Sequence, residues 1–345
     1  MKKFLSILMA CAMMMTTAAL AGCGKSDDSK DTTTTPADKD NKPAVTTTLK
    51  LGLGLEITAN ATDATEDKAG QGQVTTTAAA VLVDADGKIV KAFIDCADNK
   101  LGYTADGKAV ANESFKSKYE LGSDYGMVAY GGSTKEWFEQ ADAFCALIVG
   151  KTADEVKALV VDGDKGTDEV LNAGCTITIV EFANAVVKAV ENAIETTATA
   201  DAALKLGVST TQTTADATED KAGSNKTETY FFAAAVGADG KVITATSDCV
   251  QADFKFDLAG KSQFDATKPI ISKKVQGADY GMVAYGGATK EWFEQAAAFD
   301  AACAGKTVAE IEGIMGDDNK GDADLQAAGC TIIIDGFVKA AAKIG

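Results

Sequence analysis

Leu49-Lys50-Leu51-Gly52-Leu53-Gly54-Leu55-Glu56-Ile57 carries a leucine or isoleucine at every second residue. Strand side chains alternate between two faces, so a period of two predicts a strand with one face buried. Residues 74–83 and 88–95 flank Asp84-Ala85-Asp86-Gly87, which predicts a hairpin with a glycine-containing turn. Gly237-Ala238-Asp239-Gly240 repeats that turn. Further along the period changes. Trp137, Phe138, Ala141 and Phe144 share one helical face, with Ser133 or Thr134 as the cap and Gly150 as the stop. Thr152-Ala153-Asp154-Glu155 reads as a capping box, and Thr307-Val308-Ala309-Glu310 repeats it. Amphipathic helices follow near residues 180–193 and 336–344. Strands followed by helices define an α+β class: an antiparallel sheet with a β-hairpin, packed by C-terminal helices.

These repeated turns and boxes belong to a longer duplication. Asp63-Ala-Thr-Glu-Asp-Lys-Ala-Gly70 recurs at 216–223, and Asp124-Tyr-Gly-Met-Val-Ala-Tyr-Gly-Gly132 at 279–287. Thr134-Lys-Glu-Trp-Phe-Glu-Gln-Ala141 recurs at 289–296, and Ala173-Gly-Cys-Thr176 at 328–331. A unit of about 145 residues is far longer than a solenoid repeat, so each copy reads as a self-contained domain. The expected organisation is two tandem homologous domains, 48–200 and 201–345.

The start of the chain has a different character. Lys2 and Lys3 precede an apolar run over residues 4–20, too short to span a bilayer and followed by small residues, as in a secretory signal peptide (residues 1–22). Leu20-Ala21-Gly22-Cys23 resembles a bacterial lipobox, which implies lipidation of Cys23 and an anchor on the extracytoplasmic face of the cell membrane. Residues 23–47 are rich in Ser, Thr, Asp, Lys and Pro and read as a disordered polar tether. A net charge of −17 with no basic patch argues against a nucleic-acid partner. The absence of histidine excludes His-based triads and His-ligated zinc or haem. Beyond Cys11 and Cys23, each half holds three cysteines: Cys96, Cys145, Cys175 and Cys249, Cys303, Cys330. An odd number suits a disulfide framework poorly, so a bridge in each half and free core thiols both stand as readings.

The Asp63–Gly70 block is polar and loop-like. Asp63, Thr65 and Asp67 alternate as calcium ligands do, but Lys68 and Val74 occupy the positions where an EF-hand needs glycine and glutamate. The acidic runs 162–168 and 317–324 read as solvated turns and caps before they read as calcium sites. Thr62-Asp63-Ala64-Thr65 resembles the Ser/Thr-Gly-Ala-Thr signal of bacterial FMN-binding domains, with Asp63 and Asp216 in the glycine position and Ala215 replacing the first hydroxyl in the second copy. The whole chain is similar to the flavinylated lipoproteins of extracellular electron transfer. That resemblance implies FMN carried covalently on Thr65 and Thr218, attached by an ApbE-type flavin transferase. Lys68 and Lys221 are candidates to meet its phosphate. A planar flavin favours aromatic faces and close backbone approach at glycine. Tyr125, Gly126, Met127 and Trp137, with Tyr280, Gly281, Met282 and Trp292, are the candidates for that contact, although Trp at helical spacing also reads as core.

The implied function is an electron carrier, more a relay than an enzyme with its own substrate. It would take electrons from a membrane quinol- or NADH-linked donor and pass them to an extracellular acceptor. The alternative is a non-redox surface protein, an adhesin-like or calcium-stabilised module. A transporter's ligand-binding lipoprotein fits less well, because such proteins place different lobes around one cleft.

Overall fold

A computed structural model describes residues 48–345, and these fall within one compact unit. The lipobox with Cys23 and the tether lie outside the described residues. The described chain is α+β with antiparallel sheets.

Strands β1 (Leu49–Thr62), β2 (Gly70–Val83) and β3 (Ile89–Tyr103) form a meander, joined on the β1 side by β6 (Ile194–Thr196). Between β3 and β6 lie α1 (Lys118–Leu121), α2 (Trp137–Ile148), α3 (Ala153–Lys157), the short pair β4 (Val160–Val161) and β5 (Lys165–Gly166), α4 (Asp168–Ala173) and α5 (Val180–Glu191). The order then recurs. Strands β7 (Ala203–Ala215), β8 (Gly223–Val236) and β9 (Val242–Phe256) form the second meander. They are followed by α6 (Lys273–Gln276), α7 (Trp292–Cys303), α8 (Val308–Glu312), α9 (Ala323–Ala327) and α10 (Asp335–Ala342).

The period-two reading of β1 holds, and both faces are used. Leu53 and Leu55 point from β1 into a shared core with Val74, Ala80, Leu206, Phe231, Val250 and Phe254, so the two meanders pack face to face. The opposite faces carry helices. Ala79, Val81 and Ile94 meet Phe144, Phe182 and Val186, while Phe232 and Ala234 meet Phe299 and Phe337. The layers run helix, sheet, sheet, helix. Gly54 has a specific reason to be glycine: a Cβ there would run into the backbone of α5 at Ala185, as one at Gly207 would into Ala340 of α10. The helices sit directly on strand backbone, closer than any side chain allows.

Local signals survive folding well. Both capping boxes form, with Thr152 accepting from Glu155 N–H and Thr307 from Glu310 N–H. The cap of α2 differs from expectation. Glu136, in extended backbone, precedes Trp137, because the Ser133 hydroxyl is already committed to Lys135 O and Gln140. The six cysteines among the described residues are all free, buried thiols. Burial pushes Cys96, Cys175 and Cys330 up to about 11, so they stay protonated core residues.

Candidate functional site

The expected site residues fall into two groups that the fold holds apart. The first group sits at the tips of the leading hairpins. Between β1 and β2, Thr65 N–H donates to Lys68 O at 2.8 Å and Lys68 N–H returns to Thr65 O at 3.3 Å. Thr218 and Lys221 repeat both bonds at 2.8 and 3.3 Å between β7 and β8. This closes a four-residue turn that leaves Thr65, Thr218, Lys68 and Lys221 exposed.

Asp63 and Asp216 serve these turns structurally. Asp63 Oδ1 accepts from Ser262 N–H at 2.8 Å, and Ala64 N–H donates to Gly260 O at 2.8 Å. The reciprocal pair is Asp216 Oδ1 with Ala109 N–H at 2.9 Å and Ala217 N–H with Gly107 O at 2.8 Å. Each turn is therefore clamped by the loop that follows the last strand of the other meander. Beneath the clamps, Tyr103 stacks on Phe256 with ring centroids 4.6 Å apart and planes 8° from parallel. Thr65 faces the loop at Thr104–Asp106, and Thr218 faces the one at Asp257–Ala259. Those two loops touch, since a Cβ on Gly260 would lie 3.0 Å from Ala105 Cα. The two threonine hydroxyls thus share one end of the molecule.

The second group lies on the outer, helix-covered faces: Tyr125, Met127 and Trp137 pack with the first meander, and Tyr280, Met282 and Trp292 with the second. Tyr125, Met127 and Trp137 line a cavity of about 310 Å³ together with Lys118, Thr75 and Thr77. Asp95 on β3 accepts from Tyr119 N–H at 3.0 Å, which fixes the start of α1 and so Lys118. Burial pushes the Asp95 carboxyl up to about 6, against the pull of hydrogen bonds from Ser117, Tyr119 and Cys96. Gly126 has a left-handed φ of 79° and its missing Cβ leaves room for the Tyr130 ring; Gly281 does the same for Tyr285. Glu136 then accepts from Met127 N–H at 2.9 Å and Val128 N–H at 3.2 Å, and Glu291 repeats this at Met282 and Val283. Gln140 accepts from Thr176 N–H at 2.8 Å, as Gln295 does from Thr331 at 2.9 Å. These bonds join three of the four repeated blocks, 124–132, 134–141 and 173–176, to one another, and their counterparts likewise.

Trp137 is both core and cavity wall, and Trp292 is core. They are 4 % and 3 % exposed and pack on Phe182 and Phe337. The hairpin tip and the cavity are separate places. Thr58 lines the cavity, and about 13 Å of strand lies between it and Thr62, with the turn beyond.

Sequence reasoning missed Lys118 and Lys273, which lie over Tyr125 and Trp137 and over Tyr280 and Trp292, at 5.0–5.6 Å from the ring centroids. The available signal was position: both stand six residues before the repeated Asp-Tyr-Gly-Met block, at Asp124 and Asp279. Thr134, read from the sequence as a candidate cap, is exposed on the arm between Met127 and Trp137, and Thr289 is exposed on its counterpart.

Among the described residues, no cluster of three or more carboxylates or thiols is placed to hold a metal ion. No helix among them is long and apolar enough to cross a membrane. Compared with protein-family models, with curated proteins and with solved structures, the chain matches none.

Proposed function

We propose that the chain is an electron carrier of two tandem homologous domains, lipid-anchored at Cys23 on the extracytoplasmic face of the membrane. Each domain carries FMN in phosphoester linkage to a threonine, placed there by an ApbE-type transferase: the threonine hydroxyl, losing its proton, replaces AMP at the FMN phosphorus of FAD as the pyrophosphate bond breaks. The flavins relay electrons from a membrane quinone-linked donor to extracellular acceptors. The observation that supports this best is the pair of turns. Two exposed threonine hydroxyls, Thr65 and Thr218, occupy matching turns at one end of the molecule. Phosphoryl transfer needs an accessible hydroxyl on a short ordered loop, and two flavins at one end are within reach of a single partner. The chemistry belongs to the cofactor, while the turns set its position. An anchor and a flexible tether raise the effective concentration of such a carrier at its donor.

A second pair of acceptor hydroxyls has its own support. Gly287-Ala288-Thr289 spells the last three residues of the flavinylation signal without departure, and Gly132-Ser133-Thr134 differs at one. Both threonines are exposed and lie three residues before the tryptophan of the aromatic arm.

Peptide mass mapping of the protein from its native host, or co-expressed with the transferase, tests both. Two FMN adducts on peptides holding Thr65 and Thr218 are expected; adducts on the Thr134 and Thr289 peptides move the linkage to the arm. Unmodified chain from the native host ends the carrier reading.

A further inference from the structure

The two halves differ most at the cavity. In the first half, Thr75 and Thr77 of β2 line it, and Lys118 lies over the Tyr125 and Trp137 rings at 5.1 and 5.6 Å. Among the ion pairs of the described residues, none involves Lys118. The second half has Glu228 and Tyr230 at the matching positions of β8. Glu228 pairs with Lys273, which is 3 % exposed. Tyr230, 7 % exposed, fills the matching space and packs on Phe337 at 4.9 Å between ring centroids. A glycine makes room for it: a Cβ on Gly336 would strike the Tyr230 ring, and the first half has Glu181 there. One half therefore holds an open cavity with a cation lacking a carboxylate partner. The other holds a filled space with the same cation neutralised.

We propose that the first half binds a flat nitrogen-containing aromatic ring noncovalently in this cavity, and that the second half does not. A volume of about 310 Å³ suits one small ring system and excludes a dinucleotide. Trp137, Tyr125 and Phe182 supply faces for a planar ring. Lys118 and Thr77 supply donors for an electron-rich edge, while the Thr75 hydroxyl already donates to Asp98 at 3.0 Å. Glu181, on the cavity wall, accepts from a ring N–H. A purely apolar ring would leave those donors without partners, and a compact anion would waste the aromatic walls.

This inference does not depend on covalent flavin. Riboflavin is a suitable probe, because it carries the ring chemistry and has no phosphate through which to be transferred. The full mature chain, produced without the transferase and shown by mass to be unmodified, is titrated with riboflavin while its fluorescence is followed. Saturable quenching with one site per chain is expected. Lys118→Met should weaken binding about tenfold, the loss of one charge-assisted contact. The double variant Thr77→Tyr/Glu181→Gly, which copies the second half, should abolish binding while its thermal transition stays close to that of the parent. Glu228→Thr/Tyr230→Thr should raise the stoichiometry to two. No saturation up to about 0.1 mM overturns the proposal, as does unchanged binding in Thr77→Tyr/Glu181→Gly. The adduct masses from the native host decide the carrier reading separately, so either can fail alone.

Discussion

Glu136 shows how one side chain organises a segment. It is 7 % exposed, receives the N–H groups of Met127 and Val128 on its two oxygens, and starts α2 with Glu139 bonded to its own N–H at 2.8 Å. A glutamine has one acceptor oxygen in place of two. Glu136→Gln should leave one of those donors unpaired and cost about 1–3 kcal/mol, measured by denaturant unfolding. Glu291→Gln should cost a similar amount, because Glu291 makes the same two bonds at 3.0 and 3.2 Å. A loss below a few tenths in both would show that the arm is not held this way. The repeated Lys-Glu-Trp-Phe-Glu-Gln stretch invited a reading centred on its tryptophan. Its glutamate and glutamine turn out to hold the arm, and nothing in helical periodicity distinguishes a surface glutamate from one that turns back to cap a loop.

At the scale of elements, the link between β3 and α1 makes stability depend on pH. Asp95 accepts from the first turn of α1, and Asp248 does the same for α6 through Lys274 N–H at 3.0 Å. Burial raises both carboxyls, Asp95 to about 6. A carboxyl whose folded pKa lies above its unfolded value favours folding when protonated. Its contribution is fully present below about 4 and is lost as pH rises through about 6. For Asp95 the difference is at most about 3 kcal/mol. Glu155 and Glu310 oppose this only at lower pH. The backbone hydrogen bonds of Thr152 and Thr307 hold them below the usual range, so their contribution fades as pH falls through that lower value. The melting temperature should therefore rise from pH 7.5 to pH 5.5, and Asp95→Asn should flatten the rise. A slope unchanged in the asparagine variant would assign it to the chain's general negative charge. The elements themselves were largely legible. Period two found β1, the capping boxes found α3 and α8, and the hairpin turn at Asp84–Gly87 is where β2 passes to β3. What stayed hidden was long-range. The bond from Ser262 N–H to Asp63 crosses 199 residues, and the open or filled cavity depends on single positions facing each other across the fold.

The whole molecule joins its halves in two ways, and both bear on whether each copy folds alone. Leu53, Leu55 and Phe231 lie in a core that neither meander can close by itself. At the turn end, the Tyr103–Phe256 stack is completely buried, and the Asp63 and Asp216 clamps cross between the copies. A repeat of about 145 residues is long enough to be a domain, yet the apolar inner face of each sheet is covered by the other sheet. Separate halves would expose that face, which favours association or aggregation. Calorimetry on residues 48–345 should give one transition whose calorimetric and van't Hoff enthalpies agree. Tyr103→Ala removes a buried ring at the junction and should cost about 3–5 kcal/mol, lowering that single transition as a whole. Two resolved transitions, with only the first shifted by Tyr103→Ala, would mean that the halves are energetically independent and that the shared core contributes little. A single shifted transition would mean that the two threonine turns are held in fixed relation by the same contacts that fold the chain. The clamps would then set the spacing of whatever Thr65 and Thr218 carry.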